Sequence, residues 1–186
     1  HPTSVNDNPG WREALDQVAS YLATPPEGIR FYGVGEGGLD FYWSRDWKDE
    51  QVEALRFQIE LALQYDLPLV VHTRDAWDEM CMLIQEYAGR GLRGIMHSFC
   101  GSVDHYKALK GSGVFLFGIG GPVTYKRSTL PDTLREIPLT ELVLETDSPY
   151  LPPVPYRGKR NESAYVELVA LKLAELYGVT PEEVAE

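Results

Sequence analysis

Short apolar runs alternate along this chain with longer stretches whose apolar residues recur every three to four positions, and that alternation constrains the fold more than any other feature. Strand candidates are residues 30–35, 67–72, 94–97, 114–119 and 142–146. Helical patterning lies between them. Trp11, Leu15, Val18 and Leu22 share one face of a first helix that Pro25-Pro26 ends. Residues 46–65 place Val52, Leu55, Ile59 and Ala62 on one face, with Lys48, Glu53 and Glu60 elsewhere. A third helix carries Ala76, Met80, Leu83, Ile84 and Tyr87 and stops at glycines 89 and 91. Ser102 caps a short helix, another lies near 129–136, and a further one carries Tyr165, Leu168, Val169 and Leu176. Thr180-Pro181-Glu182-Glu183 spells an N-cap, a Pro at N1 and a capping-box Glu. Nearly continuous apolar strands separated by helices predict an α/β fold, a parallel sheet covered by helices, either doubly wound or closed as a TIM-type barrel.

Composition removes several function classes. At 186 residues, 44% hydrophobic and a mean hydropathy of −0.26, the chain is expected to form a single domain over 1–186. No run reaches the roughly 18 apolar residues of a membrane helix, and the start HPTSVNDNPGW has no basic-then-apolar leader pattern, so a cytoplasmic chain is expected. Two cysteines, Cys81 and Cys100, are too few for a disulfide scaffold and suit a reducing compartment. Gly33-Val34-Gly35-Glu36-Gly37-Gly38 lacks the third glycine of a dinucleotide loop and puts a carboxylate where a pyrophosphate would approach, which excludes that reading.

Metal-competent side chains fall where such a fold builds its sites. Glu36 follows the first strand, His72 and His97 close the second and third, and Asp147 follows the fifth. All four sit at carboxyl ends, the rim on which parallel barrels assemble active sites from several strands, and they are expected to converge there. One histidine at a strand end is more often a core or capping residue, and Glu36 or Asp147 alone could belong to a turn. Four such residues at four strand ends point to a mixed nitrogen and oxygen site for zinc, manganese or iron. A bridging carboxylate would allow two metals and attack on phosphate esters.

These residues also carry a resemblance. Gly35-Glu36-Gly37-Gly38-Leu39-Asp40-Phe41-Tyr42, His72-Thr73-Arg74-Asp75-Ala76, His97-Ser98-Phe99-Cys100-Gly101, Glu145-Thr146-Asp147-Ser148-Pro149-Tyr150-Leu151 and Pro155-Tyr156-Arg157-Gly158-Lys159-Arg160-Asn161-Glu162 resemble, in order and spacing, the successive motifs of the TatD family of metal-dependent deoxyribonucleases. The resemblance implies an amidohydrolase-like TIM barrel whose metal centre hydrolyses phosphodiesters, often as a 3′-to-5′ exonuclease. It implies that Glu36 bridges two divalent ions (Mg2+, Mn2+ or Zn2+), that His72 and His97 bind one of them, and that Asp147 binds the other or acts as general base. Glu36 and Asp147 are thus the catalytic candidates. Two departures stand out. Gly37 replaces a branched aliphatic residue, so the turn there is expected to be looser or filled by a neighbour. The family's opening His-x-His strand has no counterpart, and His1-Pro2 resembles the His-Pro that closes its third strand. Five of eight strands are then expected in an N-terminally truncated domain whose metal site is weak or mononuclear.

The net charge of −11 argues against a polyanionic substrate unless the sign reverses locally. Between Pro152 and Ser163, Arg157, Lys159 and Arg160 face one acid, Glu162, a local +2 that leaves −13 for the rest. Arg157, Lys159, Arg160 and, beside His72, Arg74 are the candidate phosphate contacts. Tyr42, Trp43, Phe99 and Tyr150 flank the site, as base-stacking or packing residues, and Cys100 reads as a packed thiol. The expected reaction is hydrolysis of single-stranded or frayed DNA ends by metal-activated water, with Asp147 accepting the proton. The alternative is a hydrolase of the same architecture acting on an amide, ester or aminoacyl bond, and a non-enzymatic scaffold is a third.

Overall fold

The computed structural model describes residues 1–186. Seven α-helices and five strands alternate as the periodicity predicts: α1 Trp11–Ala23, β1 Val34–Asp40, α2 Lys48–Gln64, β2 Leu69–Arg74, α3 Trp77–Gln85, β3 Arg93–Met96, α4 Val103–Lys110, β4 Val114–Ile119, α5 Leu130–Leu134, β5 Leu142–Leu144, α6 Val166–Tyr177 and α7 Pro181–Ala185. The strands pair in chain order, and the β1–β2, β2–β3 and β4–β5 ladders are parallel. No helix is long and apolar enough to cross a membrane. Contacts divide the chain into two compact units, His1–Met96 with Ala108–Phe115, and His97–Lys107 with Leu116–Glu186.

In the first unit the core lies between the sheet and helices α2 and α3. Leu39, Leu69, Val71 and Met96 are buried from the strands, Leu55, Ile59 and Ala62 from α2, and Met80, Leu83 and Ile84 from α3. The buried face of α2 also takes in a polar residue, Gln51, while Val52 is only half-buried. On the outer side of α2, Glu53, Arg56 and Glu60 make bidentate ion pairs with Arg12, Glu86 and Arg90 in turn. Arg90 holds the Glu60 carboxyl below its ordinary range, and Arg56 does the same to Glu86.

Four strand bounds differ from expectation: β3 ends at Met96, so His97 follows it rather than closing it, β5 ends at Leu144, three residues before Asp147, and β1 and β2 differ more. β1 is not 30–35 but runs on to Asp40, so Glu36 lies inside the strand rather than past it. Pairing starts at Val34 against Leu69, shifts register between Val34 and Gly37, and resumes through Asp40 against Arg74. The glycines that read as a strand end are strand residues. A Cβ on Gly38 would strike the His72 carbonyl, so the glycine permits close backbone approach. β2 is displaced by two residues in the same direction, to Leu69–Arg74, so His72 sits two residues before its end.

In the second unit Phe117, Ile119, Leu134, Ile137, Val169 and Leu173 form the core. The capping box at Thr180 forms as the sequence indicates, and Ser102 Oγ accepts from the His105 backbone N–H at 3.3 Å. Tyr177, near the end of α6, shares its single hydroxyl proton between the carbonyls of Leu134 (2.6 Å) and Ile137 (2.8 Å). Burial, with Tyr106 nearby, pushes its phenol up to about 12. Tyr177→Phe is expected to lower unfolding free energy by about 1–2 kcal/mol, because both carbonyls lose their donor. Urea denaturation followed by circular dichroism measures this.

Candidate metal-binding groups

The first group draws Glu36 from the first half of β1, Asp40 from its carboxyl end and His72 from the second half of β2. The register shift turns Glu36 out of the regular pleat, and its carboxylate Oε1 lies 3.1 Å from His72 Nδ1 and 3.8 Å from His1 Nε2. The other ring nitrogen, His72 Nε2, is 2.9 Å from Asp40 Oδ2. Asp40 is 3% exposed, and its second oxygen accepts from the Tyr42 N–H at 3.1 Å. A buried carboxylate already held by a backbone donor fixes the Nε2–H tautomer of His72, which leaves Nδ1 as the lone-pair nitrogen facing Glu36. His1, Asp40 and His72 also bring one ligand atom each within 4.8 Å of one another.

Asp40 is itself held from α2. The fully buried Gln51 accepts from the Asp40 N–H at 2.8 Å and donates to the Asp40 carbonyl at 3.0 Å and to Asn6 Oδ1 at 2.9 Å. Gly37 faces the same helix. A Cβ there would come within 2.5 Å of Gln58 Oε1, so a neighbour fills the space, one of the two expected consequences of glycine at this position.

The second group follows β3 and β5. His97 Nδ1 lies 2.9 Å from Glu145 Oε2, and Glu145 Oε1 accepts from the Ser98 N–H at 2.5 Å. His97 Nε2 then faces Asp147 Oδ1 at 3.6 Å. The backbone takes the left-handed conformation at Ser98 (φ 48°) and Asp147 (φ 55°), which brings these residues back toward one another. Gly118 leaves room for the Glu145 carboxylate, which a Cβ would strike. The loop carrying Asp147 is closed by Asn161. This residue is 2% exposed, donates from Nδ2 to the carbonyls of Thr146 and Tyr150, both at 2.6 Å, and accepts from the Glu162 N–H at 2.9 Å.

Each group thus pairs a carboxylate-backed imidazole with a second carboxylate. Two ligand atoms about 2.1 Å from a tetrahedral ion lie about 3.4 Å apart, and the observed 3.1 Å and 3.6 Å separations bracket that value. The donor sets therefore fit a divalent cation. Sequence reading singled out Glu36, His72, His97 and Asp147. It did not assign roles to Asp40, Glu145, Gln51 or Asn161, although three of these lie inside the motifs, nor did it treat His1 as a donor. The available signal was a second carboxylate four residues after Glu36 and another two residues before Asp147.

The candidate phosphate contacts are all exposed. Arg74 stacks on Tyr42 with Cζ 3.5 Å from the ring centroid, Arg157 on Tyr125 at 4.3 Å, and Lys159 lies 5.8 Å over Tyr156, whose ring stacks on Tyr165. Arg160 is exposed in the same loop. Of the flanking aromatics Phe99 is buried against Phe117, while Tyr42, Trp43 and Tyr150 are exposed. Cys100 corrects the sequence reading: it is exposed rather than packed, because Phe99 takes the inward position of that turn. Cys81 is the thiol under cover, and burial, with Asp78 nearby, pushes it up to about 11.

Comparison with known proteins gives a consistent picture. The family model described as TatD related DNase matches residues 1–186. YabD of Bacillus subtilis, an uncharacterized metal-dependent hydrolase, is 40% identical over 182 residues, 95% of this chain and 71% of that protein. The 3′-5′ ssDNA/RNA exonuclease TatD of Escherichia fergusonii is 30% identical over 184 residues, 96% of this chain and 68% of that one. The crystal structure of YjjV, a TatD homolog from Escherichia coli K12, matches with a TM-score of 0.88 at 28% identity and covers all of this chain and 70% of its own. The fold is accordingly that of a TIM-type barrel, of whose roughly eight strands this chain supplies five.

Asp40→Asn and Glu145→Gln test the orienting roles. Each puts an N–H or a weaker acceptor against an imidazole N–H, and each is expected to weaken Mn2+ or Zn2+ binding by about 10- to 100-fold in isothermal titration while the circular dichroism spectrum is retained.

Proposed function

The chain belongs to the TatD-related DNase family of metal-dependent hydrolases, and from that premise we propose that it is a phosphodiesterase that removes nucleotides from single-stranded or frayed DNA ends, in the 3′-to-5′ direction. The observation that carries the reading is the doubled arrangement of His72 with Glu36 and His97 with Asp147, each imidazole backed by a further carboxylate. A relative named for 3′-5′ exonuclease activity on single-stranded DNA and RNA supports the choice of substrate. That Cys81 and Cys100 form no disulfide accords with work in the cytoplasm.

Glu36, His72, His97 and Asp147 are proposed as the ligands of Mg2+, Mn2+ or Zn2+. When bound, such a cation lowers the pKa of water and neutralises charge on the phosphoryl oxygens. The protein's own residues do the remainder. Asp40 and Glu145 keep one ring proton on each histidine, so the facing nitrogen stays a donor of electrons. Asp147 accepts a proton at its carboxylate as water attacks phosphorus. Arg74, Arg157, Lys159 and Arg160 supply positive charge to a strand that the acidic surface would otherwise repel, and their guanidinium groups suit bidentate phosphate contact. Arg74 and Arg157 lie over the rings of Tyr42 and Tyr125, a contact that engages the guanidinium face.

His72→Ala and Asp147→Asn are each expected to lower the Mn2+-dependent turnover of a 5′-labelled single strand by about 10²–10⁴-fold, and chelation abolishes it. A 3′-terminal phosphorothioate should block the ladder of products. Unchanged turnover in either variant, or preference for an aminoacyl ester over both single- and double-stranded DNA, would reject the reading.

A further inference from the structure

Tyr42 and Trp43 leave β1 directly after Asp40 and Phe41, and both stay in solvent, Tyr42 at 50% and Trp43 at 75% exposure. Their rings meet edge to face at 4.8 Å and 85°. One face of Tyr42 is covered by the Arg74 guanidinium, which leaves the indole of Trp43 as the open stacking surface. The backbone beneath is fixed. Asp40 pairs in register with Arg74, the Phe41 N–H donates to the Arg74 carbonyl at 2.9 Å, and the Tyr42 N–H donates to the same Asp40 carboxylate that backs His72.

Charge placement is equally selective. Arg45 and Lys48 both pair with Glu79, whose carboxyl is held low by its own backbone N–H and these cations against the opposing effect of burial. Arg74 forms no ion pair and makes its contact with the Tyr42 ring. An open indole beside a guanidinium that forms no ion pair matches the two parts of a nucleotide, a π-face for the base and a planar cation for the phosphate.

We propose that Trp43 is a base-stacking site that takes an unpaired nucleobase of a single-stranded nucleic acid on its indole face, with Arg74 against the adjoining phosphate. The proposal rests on the phosphodiesterase reading and deepens it, because a base inside a duplex is already stacked on both faces and does not offer one to a tryptophan. The site thereby selects frayed or single strands over paired ones.

Fluorescence anisotropy in EDTA, with a labelled oligothymidylate and an abasic deoxyribose-phosphate strand of equal length, separates base from backbone. Trp43→Ala is expected to weaken oligothymidylate binding about tenfold and to leave abasic binding unchanged. Trp43→Phe, which keeps an aromatic face, restores most of the loss. Equal loss on both strands, or no loss on either, overturns the proposal. So does a change in sedimentation without a change in oligonucleotide affinity, which would make Trp43 a contact between copies of the chain. Base-dependent binding through Trp43 without cleavage under any metal would remove the hydrolase reading and keep the stacking site. Cleavage with strand affinity indifferent to Trp43 would remove the stacking site alone.

Discussion

One side-chain amide sets the position of the first ligand group. Gln51 completes the hydrogen bonding of the Asp40 backbone on both its N–H and its C=O, and it uses its remaining N–H on Asn6. A buried amide satisfied in this way is confined to one rotamer, because every alternative leaves polar groups unpaired away from water. The confinement passes outward in steps: Gln51 fixes Asp40, Asp40 fixes the ring of His72, and His72 presents its second nitrogen to Glu36. Metal affinity in such an arrangement depends on residues that never touch the metal.

The second unit reaches the same chemistry with different parts. Glu145 spans the Ser98 N–H and the His97 ring, so one carboxylate fixes both the backbone after β3 and the tautomer of the histidine it carries. Space for it comes from the missing side chain of Gly118. Asn161 performs for the Asp147 loop what Gln51 performs for β1, tying Thr146 and Tyr150 through one amide. In both units a histidine has a carboxylate on each ring nitrogen, one to hold the proton and one to face the electron pair.

Periodicity made the element order readable, since helices and strands must bury their apolar faces and the faces recur at 3.6 and 2.0 residues. Ala76, Met80, Leu83, Ile84 and Tyr87 are all buried as their spacing indicates, and β4 spans the residues expected. The bounds of β1 were not legible, because glycine signals a turn in sequence whereas here it admits a neighbouring backbone. Ligand candidates could be read because four metal-competent side chains recur at or near strand ends, although any one of them alone would be ambiguous. Their orienting partners could not, because a buried carboxylate or amide is distinguished by what surrounds it. Gln51, in an amphipathic helix, has the sequence character of a surface residue, and only the unpaired polar groups at the end of β1 explain its burial.

The ion pairs on the outer side of α2 acquire another meaning in this light. Exposed pairs of this kind add little to stability, typically about 0–1 kcal/mol. Their sequence on the helix, acid at 53, base at 56 and acid at 60, meets the opposite order of base, acid and base at Arg12, Glu86 and Arg90. A helix rotated by one residue, about 100°, would bring these charges out of alignment and swing Gln51 and Gln58 away from β1 together. The pairs are thus satisfied at the same azimuth at which the apolar face of α2 is buried and two amides on the inner surface meet the strand that carries Glu36.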